Sequence, residues 1–286
     1  MKRLDTTEII FKVISYIILT VFALACLYPF IFILSNSISS REAVESSKIW
    51  LLPDSFNFST YTYVFGQKTF WISYCNSFFV TMYGTLVSML VAIAGAYALS
   101  KTRLLFHRGF NFMLVLTMWF NAGMIPTYQN FDKFGVHNIY MFIIALGFNA
   151  FNIILLRNYF SSVPTEIEEA ARIDGATEFQ ILTKIYVPMS KSSIVTVAMF
   201  YAVARWNGYL WAQMLLPQND WPLTVYIRRT VDDLVRQIDE GASSYDFSSY
   251  ALRYAFIVCS IIPVVIIYPR LQKYFAAGVN VGGVKE

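Results

Sequence analysis

Long runs of apolar residues with almost no charge recur along this chain, and each is long enough to cross a bilayer. Val13 to Leu34, for example, contains no charged residue, and about 20 residues suffice to span ~30 Å of hydrocarbon as a helix. Because the bilayer core offers no water, every backbone N–H and C=O there must be satisfied internally, and a continuous apolar run does so by coiling into a helix. Six such spans can be drawn, at roughly 12–34, 73–99, 109–129, 138–157, 191–216 and 252–270. Hydrophobic residues form 57% of the 286 positions and charged residues only 14%, far from a soluble balance. The chain therefore reads as all-α and polytopic. No Gly/Ser-rich linker divides it and no solenoid repeat is present, so a single membrane domain over 1–286 is expected.

An even number of spans places both termini on one side of the membrane. Basic residues cluster in the short link with Lys101, Arg103 and Arg108, in the segment with Arg157, Arg172, Lys184 and Lys191, and at both termini, which assigns these parts to the cytoplasm. Lys2, Arg3 and Lys12 precede the first run as in a signal peptide, but the run has spanning length and no small-residue cleavage site follows it. It is expected to remain as a helix. A net charge of +4 spread among apolar spans gives no footprint for nucleic acid. Cys26, Cys75 and Cys259 lie far apart among apolar neighbours, the pattern of inert thiols and not of a metal or redox pair.

Within the second span Gly84, Ser88, Ala92, Ala96 and Ser100 repeat every four residues, a small-residue face along which another helix can approach closely. Pro126, Pro263 and Pro269 are expected to bend or end helices. Asn121, Asn149 and Asn152 read as hydrogen-bonding groups between helices. From Leu223 to Ile238, Leu223, Ile227, Val231, Leu234 and Ile238 recur at three or four residues among Arg228, Arg229, Asp232, Asp233 and Arg236, which predicts an amphipathic helix outside the membrane. It serves either as a lid on the bundle or as a docking element for a soluble protein.

The polar stretch 162–188 predicts two short helices and a turn. Pro164 suits a first turn, Glu166, Glu168 and Glu169 place negative charge at the positive end of the helix dipole, and Gly175 provides the stop. Thr177 then caps a second helix whose apolar face carries Phe179, Ile181, Leu182 and Ile185 before Pro188. Composition alone would allow an ordinary amphipathic loop helix on the membrane surface. The full spacing, Glu169-Ala170-Ala171, three residues, Gly175, nine residues, Ile185-Tyr186-Val187-Pro188, resembles the EAA motif of permease subunits in binding-protein-dependent ABC importers, with Val187 where leucine is usual.

That resemblance implies the type I importer permease fold, six transmembrane helices plus a cytoplasmic coupling helix that docks on a separate ATPase. Carried onto this chain, the coupling residues are Glu168, Glu169, Ala170, Ala171, Arg172, Asp174, Gly175 and Pro188. Trp50-Leu51-Leu52-Pro53 with Asn57 to Tyr61, and Trp206 to Trp211, are similar to carbohydrate permeases of the maltose-permease second-subunit type. Trp221-Pro222-Leu223 and the tail from Gly278 to Gly283 look closest to the lipoprotein and polysaccharide-fragment importers. The implied partners are a homologous second permease, two ATPase subunits holding ATP and Mg, an external solute-binding protein, an oligosaccharide and the lipid bilayer of the cell membrane. This chain itself is expected to bind no cofactor or metal: Gly278 and Gly283 have the outer spacing of a phosphate loop, but Val284 stands where its lysine must be.

Arg205 is the costliest residue at membrane depth, about 2.5–3.5 kcal/mol on insertion scales, and needs a partner or water. With Trp206, Asn207, Tyr209, Trp211 and Gln213 it forms a mixture of donors and aromatic faces suited to a sugar. Either it meets a substrate, in which case an acidic, uronate-containing oligosaccharide such as an alginate or pectin fragment is favoured, or it pairs with a helix carbonyl or an acid of the partner permease. Other cargo, an amino acid or peptide, keeps the importer class. An integral-membrane enzyme would need converging acids or histidines, and the chain has only His107 and His137. A passive channel or secondary carrier would leave the EAA spacing without a purpose.

Overall fold

The structure, a computed structural model, describes residues 6–240 and 245–279, and the Gly278–Gly283 tail thus lies mostly outside the described residues. Its helices run in order: α1 Thr6–Ser37, α2 Arg41–Glu45, α3 Ser59–Gly66, α4 Lys68–Ser100, α5 His107–Trp119, α6 Met124–Lys133, α7 Ile139–Ala145, α8 Ala150–Phe160, α9 Thr165–Ile173, α10 Glu178–Ile181, α11 Val187–Met189, α12 Lys191–Asn207, α13 Leu210–Leu215, α14 Leu223–Asp239 and α15 Ser249–Val279. Among the described residues the fold is all-α, with one isolated β-bridge between Ser39 and Phe56.

Among the described residues three helices, α1, α4 and α15, are long and apolar enough to cross a membrane unbroken. The expected spans at 138–157 and 191–216 are interrupted. The first is α7 and α8 at 54° to each other across Leu146–Asn149, and the second is α12 and α13 parted at Gly208. The span expected at 109–129 is also split, because α5 stops at Trp119 and α6 begins after Gly123, whose φ of +87° only glycine adopts easily. By length and composition, up to five spans are then present among the described residues, if α7 with α8, and the segment Glu178–Met189 with α12, each count as one bent span. Pro126 sits in the first turn of α6, where a missing N–H costs nothing, but Pro263 and Pro269 lie inside α15 and do not end it.

The chain divides into two compact units. The first comprises Met1–Phe70 and Ile227–Ile262. In it α1 leaves its apolar side chains exposed, as a helix facing lipid does, while the connection after it is stitched by Ser35 Oγ donating to Leu51 O at 2.7 Å and Asn57 Nδ2 donating to Asp246 O at 2.9 Å. Ala43, Val44, Ile49 and Ala251 form its small core. The expected amphipathic helix is α14: Leu223 is buried, Ile227 and Leu234 are half-buried, and Arg228, Arg229, Asp232, Asp233 and Arg236 are exposed, whereas the side chains of Val231 and Ile238 lie outside the described residues.

The second unit, Trp71–Tyr226 with Pro263–Glu286, holds the candidate functional residues. One core layer packs Ala92, Ala96 and Tyr97 of α4 against Ile153, Leu156 and Phe160 of α8, Tyr186, and Val197 of α12. Ala92 and Ala96 have no exposed surface, so the small-residue face does admit close approach. Asn149 and Asn121 were expected to bond between helices, but both act locally. Asn149 Oδ1 accepts from Asn152 N at 3.0 Å to cap α8, and Asn121 Oδ1 accepts from Gly123 N at 2.9 Å. A short polar side chain satisfies a nearby free N–H before it can reach another helix. Replacing Ala96 with Leu should overpack this layer and cost about 1–3 kcal/mol, read as a lower unfolding temperature of the purified protein in detergent, while the same change at the exposed Met82 should leave it unaltered.

Candidate functional site

The stretch 162–188 forms the predicted two-helix knob. Helix α9 ends in a Schellman motif: Gly175 adopts φ +79°, its N–H donates to Arg172 O at 3.0 Å, and Ala176 N–H donates to Ala171 O at 2.9 Å. Thr177 and Gln180 form a reciprocal capping box that starts α10. Next comes one π-helical turn, Leu182–Tyr186, running into α11. Pro188 does not end this segment as expected: it lies within α11, and the widened turn before it accommodates a residue that has no N–H to donate and a ring that crowds the preceding carbonyls. The chain bends by 86° at Ser190 into α12.

Glu168 is the centre of this knob. It is 9% exposed, and three donors converge on its carboxylate: Lys101 Nζ and Tyr186 OH on Oε2, each at 2.5 Å, and Arg172 Nη2 on Oε1 at 2.5 Å. Arg103 stands 3.7 Å away and also bonds Glu178 at 2.6 Å, which in turn is 2.9 Å from Arg172 and accepts from Tyr97 OH at 2.7 Å. The Lys101 ammonium additionally lies over the rings of Tyr97 and Tyr186 at 4.3 and 3.8 Å from their centroids. Burial by itself would raise the Glu168 pKa, but the hydrogen bonds from Lys101 and Tyr186 outweigh it and hold the carboxyl below its ordinary value. Lys101 is also lowered, because burial penalises its charge by more than Glu168 and Glu178 restore.

The other residues expected to couple divide by environment. Glu169, Ala170, Asp174, Gly175 and Pro188 are exposed, while Ala171 and Arg172 are half-buried. Beside them two apolar side chains stand in the open, Ile173 at 87% and Phe179 at 73% exposure. Tyr97 and Glu178 are not singled out by the sequence, and Lys101, Arg103 and Tyr186, although named there for their charge or their place in the motif, are not expected to join this cluster. The i,i+4 spacing of Glu168 and Arg172 announces their pair, but no local pattern tells that the lysine just beyond a transmembrane helix returns to the same carboxylate.

At membrane depth, Arg205 is 8% exposed and plugs the break between α7 and α8: its Nη2 donates to Leu146 O at 2.5 Å, Ile143 O at 3.3 Å and Ser88 Oγ at 3.1 Å. Gly84 makes room for it, since a Cβ there would stand 3.1 Å from Nε. The helix-carbonyl alternative is thus realised for one nitrogen. The second terminal nitrogen, Nη1, is buried without a hydrogen-bond partner among the described residues, and Arg205 lines a cavity of about 410 Å³ together with Asn149, Asn207, Tyr209 and Trp211. Trp206 is drawn away from this group: it is buried edge-on against Phe78, ring centroids 5.3 Å apart, and lines a separate apolar cavity of about 290 Å³ with Asn207. Gln213, half-buried on α13, is in the lining of neither. Among the described residues no cluster of His, Cys, Asp and Glu is arranged to hold a metal.

Residues 105–281 match the family described as binding-protein-dependent transport system inner membrane components. The chain is 37% identical, over 96% of its length and 98% of the relative's, to a polygalacturonan/rhamnogalacturonan transport system permease protein of Bacillus subtilis. It is 34% identical to protein LplC of the same organism, over 90% of this chain and 88% of that one. Among solved structures, it superposes with a TM-score of 0.88 and 44% identity, over 96% of its own length and 100% of the other chain, on a chain of a bacterial ABC transporter involved in the import of the acidic polysaccharide alginate.

Because Glu168 is held ionised, its contribution to stability is complete above the ordinary glutamate value of 4.5 and is lost as pH falls through its lower folded-state pKa. Thermal unfolding of the wild type should therefore move to lower temperature as pH is taken from 6 to 3. Glu168→Gln, which leaves Lys101 buried without its counter-ion at a cost of about 3–5 kcal/mol, should unfold earlier at pH 6 and lose most of that acid dependence.

Proposed function

This chain belongs to the family of binding-protein-dependent transport system inner membrane components, and from that premise we propose that it is the membrane-spanning permease subunit of an ATP-driven importer for an acidic oligosaccharide. It is a transport subunit and not an enzyme. ATP and Mg²⁺ bind to two separate ATPase subunits, a homologous second permease completes the pathway, and an extracytoplasmic solute-binding protein delivers the cargo. The knob and both termini face the cytoplasm, in keeping with the basic link 101–108 and the basic residues of 157–191.

The observation that carries this reading is the Glu168 cluster, which supports a knob able to transmit force. A partner that takes up Ile173 and Phe179, with Glu169 and Asp174 at its rim, pulls on α9. Because three donors from three places in the sequence grip one buried carboxylate, α9 cannot slide past the end of α4 or the π turn without breaking that grip. Displacement of the knob therefore becomes displacement of α4 and of α12, which follows the bend at Ser190. In the assembled importer, closure of the ATPases moves two such knobs together and opens the pathway toward the binding protein, and hydrolysis resets it.

Acidic cargo is supported by the relatives named for galacturonan and alginate, both carboxylate-bearing polymers, and by Arg205. With Nη2 occupied, a rotation of the side chain that brings the buried, unpartnered Nη1 into the cavity lets it meet a substrate carboxylate or hydroxyl, while Tyr209 and Trp211 offer ring faces to the sugar. A second reading confines Arg205 to capping α7, and the two carbonyls its Nη2 takes there favour that role as well.

Substrate-stimulated ATPase activity of the assembled complex tests these assignments. Ile173→Asp and Phe179→Asp lie at exposed positions and should fold normally but abolish stimulation, whereas stimulation intact in both variants would remove the coupling role. Arg205→Gln should weaken the response to uronate oligosaccharides by about tenfold, the loss of one charge-assisted contact, and leave neutral oligosaccharides unaffected. An equal loss for both classes would confine Arg205 to α7, and stimulation only by an amino acid or peptide would replace the cargo.

A further inference from the structure

The loop between α4 and α5 combines exposed apolar side chains with charge of one sign. Leu105 and Phe106 are 76% and 75% exposed, and Phe106 sits at φ +59°, a left-handed conformation that an aromatic side chain disfavours. Arg103, His107 and Arg108 flank them in sequence. Behind the loop lies a cavity of about 520 Å³, separate from the one at Arg205. Four permanent cations line it, Lys101, Arg103, Arg157 and Arg172, together with His107, against two carboxylates, Glu168 and Glu169. Glu168 is already committed to Lys101, Tyr186 and Arg172, and Arg103 and Arg172 also share Glu178.

Arg157 is different. Its guanidinium bonds only amide oxygens, Nη1 to Asn111 Oδ1 and Nη2 to Asn158 Oδ1, it has no carboxylate partner among the described residues, and its Nε is buried without any hydrogen-bond partner. A guanidinium presented to a cavity with neighbouring cations and no counter-ion calls for an anion. The surroundings favour one kind. The cavity opens at the basic end of the α4 span, and α5 continues the apolar surface of Leu105 and Phe106 with exposed Phe110 and Met113. A free anion would make no use of that surface, whereas acyl chains would lie along it.

We propose that this cavity binds the phosphate headgroup of an anionic phospholipid. Arg157 contacts the phosphate, His107 and Arg103 add to the positive field, and Leu105 and Phe106 enter the interface beside the acyl chains. On the orientation given above this is the cytoplasmic leaflet. The bound lipid would sit against Lys101 and α9, beside the Glu168 cluster. The site does not depend on which solute is imported, so its test is independent of that assignment.

Native mass spectrometry of the full-length chain with its co-purifying partners, released from detergent after equimolar addition of dioleoyl-phosphatidylglycerol and dioleoyl-phosphatidylcholine, decides the matter. Phosphatidylglycerol should be retained about tenfold over phosphatidylcholine, and Arg157→Gln should reduce that preference by about the same factor, one charge-assisted hydrogen bond. The exposed double change Leu105→Ser with Phe106→Ser, which should not disturb folding, should lower retention of both lipids. Equal retention of the two lipids by the wild type would overturn the proposal. So would displacement of phosphatidylglycerol by a tenfold excess of inorganic phosphate, which would make this a free-anion site, or lipid retention that vanishes whenever ATPase subunits are bound, which would make the patch a protein contact.

Discussion

A chain that crosses lipid must satisfy its backbone polar groups within the protein, and this fold departs from unbroken helices only where it can meet that demand. The break between α7 and α8 frees carbonyls at Ile143 and Leu146, and both are taken by one nitrogen of Arg205. The opening of α8 is closed by Asn149. Gly84 keeps the space through which the guanidinium reaches them. An irregular stretch of backbone at membrane depth thus becomes tolerable, and the same stretch gives the cavity its polar lining. An arginine expensive to bury is retained because it solves a backbone problem while leaving one donor over.

A second economy operates in the knob. Nine residues of α9 could not keep a fixed attitude by helix propensity alone, since short helices are marginal in water. Their attitude is set by Glu168, whose buried carboxylate gathers Lys101, Tyr186 and Arg172. Such a cluster adds little net stability compared with an apolar core, but it is directional and costly to half-break. Those are the properties a mechanical joint requires. The exposed Glu169, Ile173 and Phe179 are then free to face a partner without being needed to hold the helix in place.

Legibility of the sequence followed the range of the physics involved. Gly175, Thr177 and the amphipathic face of α14 were readable because caps and helical periodicity act over three or four residues. Helix breaks were less so: apolar composition across 109–129 and 191–216 suggests continuous spans, and neither Gly123 nor Gly208 declares itself until one helix is seen to stop and the next to start around it. Proline misled in the opposite direction, with Pro263 and Pro269 inside α15, because the sequence does not show what else can satisfy the carbonyls a proline leaves free.

By itself the sequence determined that this protein is helical and membrane-embedded, which stretch forms the polar knob, and, through the spacing of Glu169, Gly175 and Pro188, to which family it is similar. Those features rest on hydrophobic length, local capping and short-range spacing, all of which are properties of contiguous residues. Only the tertiary structure decided that Glu168 and not Glu169 is the buried anchor, that Arg205 spends one nitrogen on a helix end and keeps another buried and unpartnered among the described residues, that Trp206 packs away from Tyr209 and Trp211, and that Arg157 meets no carboxylate among the described residues. Each of these depends on residues 46 to 128 positions apart being brought within hydrogen-bond or packing distance, and no pattern in a linear chain records which of its many distant charges will meet.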